Sequence, residues 1–395
     1  MAVRPALPDS FALLNGYRAI AAFMVLTTHV AFNTGEILTP VLGPLLGRMD
    51  FGVTLFFLLS GFLLYRPWAL GAMTDRRGPR LGTYAIRRAV RILPAYWVMV
   101  AFVLLLLPEI QPVRWQAWPV HLGLLHIYVP GFTIEGLTQT WSLATEVAFY
   151  AVLPLLAWLA GRRHRGSATA SANWQLTVIG ACVAIGWGFT VLRVSGALGT
   201  STMPGYWLPG FIDWFALGMA CAVIQTRLSL RGAPRWMWSV RQVAESTPWC
   251  LLIAAALYVI AATPLAGPLT FDPAQPNSLV IKHVLYGLIA VFLLLPGFLG
   301  RWGDDSTWAR ILRSPIVVYL GTISYGVFLW HLVLLRFVQN TLNIPIFGGG
   351  FWLVWTLVVL VTIVFASASW FAIERPLQAW AHRPRATSDR APLPT

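Results

Sequence analysis

Charge is scarce in this sequence. Asp, Glu, Lys and Arg make up 11% of its 395 residues, against roughly 25% in an ordinary soluble domain, too little to coat a water-soluble globule of this length. Cysteine is also rare. Cys182, Cys221 and Cys250 are widely separated, odd in number and without histidine companions, which argues against a disulfide framework and a zinc site. Lysine is confined to Lys282. There is no Walker A lysine motif, no GxGxxG turn after a strand, no GxSxG elbow and no HExxH helix. No small-residue cleavage pattern follows the first apolar run, so that run reads as a membrane span and not as a leader. The run Gly348-Gly349-Gly350 reads as a flexible turn rather than a phosphate cradle.

What is abundant is apolar length. Hydrophobic residues make up 57% of the chain and mean hydropathy is +0.69, with several stretches near or above the ~20 residues that cross a bilayer. The expectation is an all-α polytopic transmembrane helical bundle of about ten spans, at 11–34, 51–70, 92–108, 141–160, 174–194, 208–226, 248–267, 277–299, 315–338 and 351–373. A membrane domain over 1–373 is followed by an Arg- and Pro-rich cytoplasmic tail over 374–395. A Ser/Ala/Thr linker, Gly166 to Ala172, joins the fourth and fifth spans. The short, Pro-bounded run 115–132 is read as a re-entrant or interfacial segment. With the N-terminus in the cytoplasm, 23 of the 28 basic residues then fall on the cytoplasmic side, and only Arg48, Arg114, Arg193, Lys282 and Arg336 do not. That asymmetry is what the positive-inside rule requires. The net charge of +14 is therefore read as loops held against the anionic leaflet of the cytoplasmic membrane, with both termini inside, and not as a nucleic-acid surface.

Ionisable residues inside spans are costly, and each is a candidate site residue. The first span carries Arg18 and His29, eleven residues and thus almost three turns apart, on one helical face and about 16 Å apart along the axis. The fourth places Ser142, Glu146 and Tyr150 on one face at i, i+4 spacing. The ninth carries Ser324, Phe328 and His331 on one stripe. This topology brings His29, Glu146 and His331 to comparable depth, compatible with one polar chamber. A buried histidine is as readily a packing residue, and the cluster Arg87, Arg88, Arg91 as readily a topology signal.

Six elements in chain order resemble the acyltransferase-3 family of polytopic O-acyltransferases. They are LNGYRAIAAFMVLTTH, with ten residues between Arg18 and His29; FGVTLFFLLSGFLL from Phe51 to Leu64; Arg88-Ala-Val-Arg91-Ile-Leu-Pro94-Ala-Tyr96; Trp141-Ser142-Leu143-Ala-Thr-Glu146-Val-Ala-Phe149-Tyr150; Gly321-Thr-Ile-Ser324-Tyr325-Gly326-Val-Phe328-Leu329-Trp330-His331; and Glu374-Arg375-Pro376. Asn15 and Tyr17 depart from the family pattern, which bears on how Arg18 is oriented. The likeness is to the stand-alone branch, without an SGNH domain.

The resemblance implies transfer of an acyl group, often acetyl from acetyl-CoA as donor substrate, to a hydroxyl of a glycan, glycolipid or macrolide-like acceptor, with no permanently bound cofactor and no metal. On that reading Arg18, Arg88 and Arg91 hold the polyanionic end of acyl-CoA. His29 is the general base and Glu146 steadies its imidazolium; Ser142, Tyr150, Ser324 and His331 line the substrate pocket. An acyl-histidine intermediate is the alternative route. The rival readings are a transporter or flippase, for which broken helices and repeat symmetry are the marks, and an acyl carrier without its own transferase chemistry.

Overall fold

The computed structural model describes residues 8–76, 78–106, 113–162, 166–199, 201, 203–269, 275–300 and 306–382. The tail beyond 382, with several of the basic loop residues (Arg4, Arg77, Arg163, Arg165, Arg301), lies outside them. Among the described residues all regular structure is helical. In chain order the helices are α1 (Pro8–Thr34), α2 (Leu42–Gly47), α3 (Gly52–Met73), α4 (Leu81–Leu106), α5 (Ala117–Leu122), α6 (Thr140–Gly161), α7 (Ala168–Val194) and α8 (Ile212–Ser229). They continue with α9 (Arg235–Glu245), α10 (Thr247–Ala261), α11 (Pro276–Leu299), α12 (Thr307–Arg313), α13 (Pro315–Thr322), α14 (Ser324–Leu342), α15 (Phe351–Ser369) and, after a π-helical turn at Trp370–Glu374, α16 (Arg375–Ala381).

Six segments are long and apolar enough to cross a membrane: Leu42–Met73, α4, α6, α7, α11 and Phe351–Ala381. Two bent pairs, α9 with α10 (78°) and α13 with α14 (68°), raise the number to eight if each pair is one span. The expected ninth span is thus broken at Ile323. The seventh is preceded by a helix folded almost at right angles to it, and α10 stops at Ala261 rather than 267. The third span starts not at 92 but at Leu81, so Arg87, Arg88 and Arg91 lie inside α4. The linker after the fourth span is shorter than expected. Ser167 caps α7 by accepting from the Ala170 N–H, and the helix runs from Ala168, as a side-chain oxygen at the N-cap favours.

Contacts sort the helix ends into two groups. At one end, α1 finishes against the 343–350 loop (Phe347 N–H donates to Asn33 O at 2.7 Å, Gly349 N–H to Thr34 O at 2.9 Å), and Arg48 donates to Ala261 O at 2.8 Å. At the other, the start of α1 meets α12, where a Cβ on Gly16 would strike Leu312 O. There Ser171 Oγ also donates to Ala72 O, and Arg227 reaches Thr169 between α8 and α7. The core is closed by small residues. A Cβ on Gly61 of α3 would lie 2.1 Å from Phe215 O, and one on Gly218 of α8 2.0 Å from Leu58 O, so each glycine admits the other helix's backbone.

The run 115–132 holds no helix long enough to cross a membrane. Its only helix, α5, has six residues, about 9 Å of length, and the segment is pinned by Tyr96 OH donating to His121 O (2.7 Å) and Trp207 Nε1–H donating to Ile127 O (2.9 Å). The His121 and His126 rings stack with centroids 5.0 Å apart. His121 Nε2–H donates to Phe132 O and His126 Nε2–H to Thr140 Oγ1, leaving both Nδ1 atoms bare and buried. Burial pushes His121 down to about 4, and burial with the neighbouring ring pushes His126 to about 3.

Two outcomes follow. Gly218→Leu, which overpacks the α3–α8 crossing, should lower stability by about 1–3 kcal/mol, read as a drop in melting temperature of the detergent-solubilised protein. The two histidines take protons near 6.5 when unfolded and resist them when folded, so their segment should loosen as pH falls from about 6.5 towards 4. Amide exchange across 113–137 should rise over that window and not in α3 or α8.

Candidate active site

Four helices besides α1 converge on one cleft. It is lined by Arg18 of α1, Phe56, Phe57 and Ser60 of α3, Arg88 and Arg91 of α4, Ser142, Glu146 and Tyr150 of α6, and Ser324, Tyr325 and Phe328 of α14. Seven of the nine residues singled out from the sequence therefore face one space. The break at Ile323 turns the first turn of α14 towards it, which is why Ser324 is a lining residue.

Glu146 Oε1 accepts from Tyr150 OH at 2.6 Å and from Ser60 Oγ, and these two bonds fix the carboxylate on the cleft wall. Arg18 Nη1 donates to Asn15 Oδ1 at 3.2 Å, so the residue that departs from the family pattern is the one that orients the guanidinium. Arg18 lies within electrostatic reach of Arg88, Arg91 and Glu146. Among the described residues neither Arg88 nor Arg91 has a hydrogen-bond or ion-pair partner; the three cations face Glu146 on the cleft wall, and the buried Glu374 lies within electrostatic reach of Arg91. That surplus positive charge in a half-buried setting calls for an anion.

A second cleft adjoins the first. It is lined by Pro67, Pro79, Arg80, Thr83, Tyr84 and Arg87, and shares Leu63, Leu64 and Arg88 with the inner one. The path therefore runs from the start of α4 to Glu146. Arg80, Tyr84, Ser60 and Tyr325 escaped the sequence reading. Arg80 and Tyr84 precede the apolar run from which the third span was counted, whereas Ser60 sits in the quoted second-span motif.

His29 and His331 form a pair of their own. The His331 Nδ1–H faces Val327 O at 3.1 Å and the His29 Nδ1–H faces Val25 O at 2.8 Å; His331 Nε2 lies 3.2 Å from His29 Nδ1. Carbonyls only accept, so both Nδ1 atoms carry the proton and His331 Nε2 accepts from His29. His29 Nε2 is left as a lone pair with no partner among the described residues. His331 is buried and His29 half-buried. The chamber expected to hold His29, Glu146 and His331 together is thus divided. Glu146 is bonded to Ser60 and Tyr150, not to the imidazole, because its side chain is turned along α6 into the arginine cleft. The two parts adjoin through Phe328, whose ring lines the cleft and lies 6.1 Å from the His331 ring and 6.2 Å from that of Phe56.

The helical bundle thus sets an arginine-lined cleft beside a histidine pair. The family model for the acyltransferase domain of acyltransferase-3 matches residues 11–371, and the chain belongs to that family of O-acyltransferases. It is 24% identical to "Nodulation protein 10" of Rhizobium leguminosarum bv. viciae over 91% of each chain. It is 27% identical to "Putative peptidoglycan O-acetyltransferase YrhL" of Bacillus subtilis (strain 168) over 94% of this chain and 55% of that one. With "Putative O-acetyltransferase SACOL0978" of Staphylococcus aureus (strain COL) it shares 24% over 92% of this chain and 57% of that one. The chain thus spans little more than half the length of the latter two. No solved structure matches it. Of the marks expected of a transporter the broken helix is present, at Ile323, but the family is one of acyltransferases.

Glu146→Gln should leave the melting temperature within a few degrees of the parent while acyl transfer falls at least tenfold, measured with radiolabelled acyl donor, because the carboxylate that lines the arginine cleft is neutralised.

Proposed function

We propose that the protein moves an acetyl group from cytoplasmic acetyl-CoA to a hydroxyl of a cell-envelope carbohydrate. The observation that carries this reading is the pair of joined, arginine-lined clefts leading towards a histidine whose Nε2 is open. The nucleotide phosphates of the donor sit against Arg80, Arg87 and Arg88, where bidentate guanidinium contacts suit phosphate oxygens. Arg18 and Arg91 grip the diphosphate side of the pantetheine arm, and the arm passes the Phe56–Phe328 ring pair to bring the thioester to His29. Arg18 and His29 are separated by about 16 Å of helix, which sets the distance between anchor and chemistry. Glu146, tied to Ser60 and Tyr150, positions the arginines and is not the partner of the imidazole. That role passes to His331, which accepts from His29 Nδ1.

In the reaction His29 Nε2 takes the acceptor's hydroxyl proton. The oxygen attacks the thioester carbonyl, the C–O bond forms, the C–S bond breaks, and the imidazolium returns its proton to the CoA thiolate. Ser324 offers its hydroxyl to the acyl oxygen on the cleft wall, while Ser142, whose proton goes to Gln139 O at 3.1 Å, lines the cleft as an acceptor.

The reading also sets the topology. The arginine end faces the cytoplasm, where α1 begins and α16 finishes, and the chain crosses ten times. The helices that add to the apolar set are α1 and α8. Fourteen of the 18 residues of α8 are buried, and a helix enclosed by other helices need not be apolar all round. The Bacillus relative's name points to peptidoglycan as the acceptor class to try first.

His29→Ala should abolish transfer at unchanged acetyl-CoA affinity, whereas Arg88→Ala with Arg91→Ala should weaken that affinity about tenfold or more, by calorimetry on the protein in lipid nanodiscs. Full activity without His29 would overturn the assignment. Ping-pong kinetics with a trapped acyl-imidazole would replace direct transfer by a two-step route.

A further inference from the structure

At the end of the bundle away from the arginines, an ionised cluster has no role in the mechanism above. Asp50 precedes α3 in the turn Arg48–Phe51. Its Oδ2 accepts from Lys282 Nζ at 2.8 Å and its Oδ1 from Tyr286 OH. Lys282 also lies 5.1 Å from the Tyr286 ring. The frame beneath is rigid. Arg48, only 2% exposed, donates to Ala261 O and Gly267 O, Tyr258 OH donates to Leu45 O, and the Phe51 ring packs on Tyr258 and Tyr286 with centroids 5.5 and 6.0 Å away.

The turn packs against the stretch of α1 that carries His29. A Cβ on Gly52 would lie 3.0 Å from Val25 Cγ2, and Thr28 Oγ1 donates to Gly47 O at 3.0 Å. His29 stands one turn beyond Val25 on the same face, and Asp50 stands two residues outward from Gly52, within electrostatic reach of His29. An ordinary rim ion pair would leave both charges to water. Here a phenol that is almost wholly buried, Tyr286 at 3% exposure, gives its one proton to a carboxylate whose side chain is 40% exposed. Each Asp50 oxygen accepts one bond and keeps a free lone pair, and neighbouring hydroxyls on a sugar ring donate at the spacing of two carboxylate oxygens.

We infer that Asp50, braced by Lys282 and Tyr286, is the wall of an acceptor subsite that seats a polyhydroxylated ring and turns one of its hydroxyls to His29 Nε2. The inference rests on the acyl-transfer reading and adds to it the side of entry and the substrate class, a carbohydrate bearing adjacent hydroxyls.

The test uses the full-length protein in lipid nanodiscs and, as probes, the methyl glycosides of a hexose, a 6-deoxyhexose and an N-acetylhexosamine, followed by saturation-transfer NMR. At least one should bind the parent. Asp50→Asn should weaken it about tenfold or more, whereas Asp50→Glu, which keeps the carboxylate, should stay within about threefold. Acetyl-CoA affinity by calorimetry should not change in either. If none of the three glycosides binds the parent, or Asp50→Asn binds like it, the subsite is refuted. Should Asp50→Asn melt early, Lys282→Met decides. It keeps the carboxylate and should retain binding within about threefold, and loss equal to that of Asp50→Asn would make the cluster a purely structural brace. Failure of the acyl-transfer reading is distinguishable, since it appears as absent acetyl-CoA binding or as transfer surviving His29→Ala, whatever the glycosides do.

Discussion

The constraint on which the rest depends is the cost of holding three guanidiniums where water is scarce. Removing a cation from water costs several kcal/mol unless opposite charge or hydrogen-bonding groups make good the loss. Among the described residues the protein sets Glu146 against Arg18, Arg88 and Arg91, and the buried Glu374 within reach of Arg91 alone. The imbalance explains the lining: Asn15 steadies one guanidinium, Ser60 and Tyr150 lock the Glu146 carboxylate, and the adjoining cleft keeps Arg88 open to the outside. On the proposed reading an incoming polyanion completes this charge set.

The same constraint shapes the bundle. Polar groups at depth are confined to helices shielded by other helices, and the backbone bends only where protein surrounds it. The break at Ile323 is enclosed in protein, with Ile323 itself buried and Ser324 beside it lining the cleft. The glycine contacts between α3 and α8 bring two backbones within van der Waals range. That close seam fixes the register of Phe57, whose ring stacks on Phe215 of α8 with centroids 4.4 Å apart, and with it that of Ser60 on the cleft wall.

Much of this was legible in the sequence because membrane helices write their length and their few charges plainly. Arg18, Arg88, Arg91, Ser142, Glu146, Tyr150 and Ser324 were each nameable from spacing and motif, and they share one cleft. The illegible parts have physical causes. The start of α4 was hidden because Arg80 to Arg91 look like a loop when apolarity is the only guide, although the helix simply continues through them. The bend at Ile323 has no proline or glycine at its apex, so no local signal announces it. The separation of Glu146 from His29 depends on side-chain direction. Equal depth on three helices says nothing of which groups face one another, and the aromatic rings of Phe56 and Phe328 stand where sequence alone had left one chamber. Asp50 stood out in no motif, since a short turn before a span carries no periodicity.

The basic side chains of the two clefts, Arg18, Arg80, Arg87, Arg88 and Arg91, are all of one kind, and that choice has a chemical consequence. A guanidinium stays protonated at any pH the cell meets and has no nucleophilic lone pair to offer, whereas an amine brought beside an activated thioester for long residence times would eventually capture the acyl group itself. On the proposed reading, a grip made of guanidinium is immune to the thioester it would hold, and so is not silenced by self-modification.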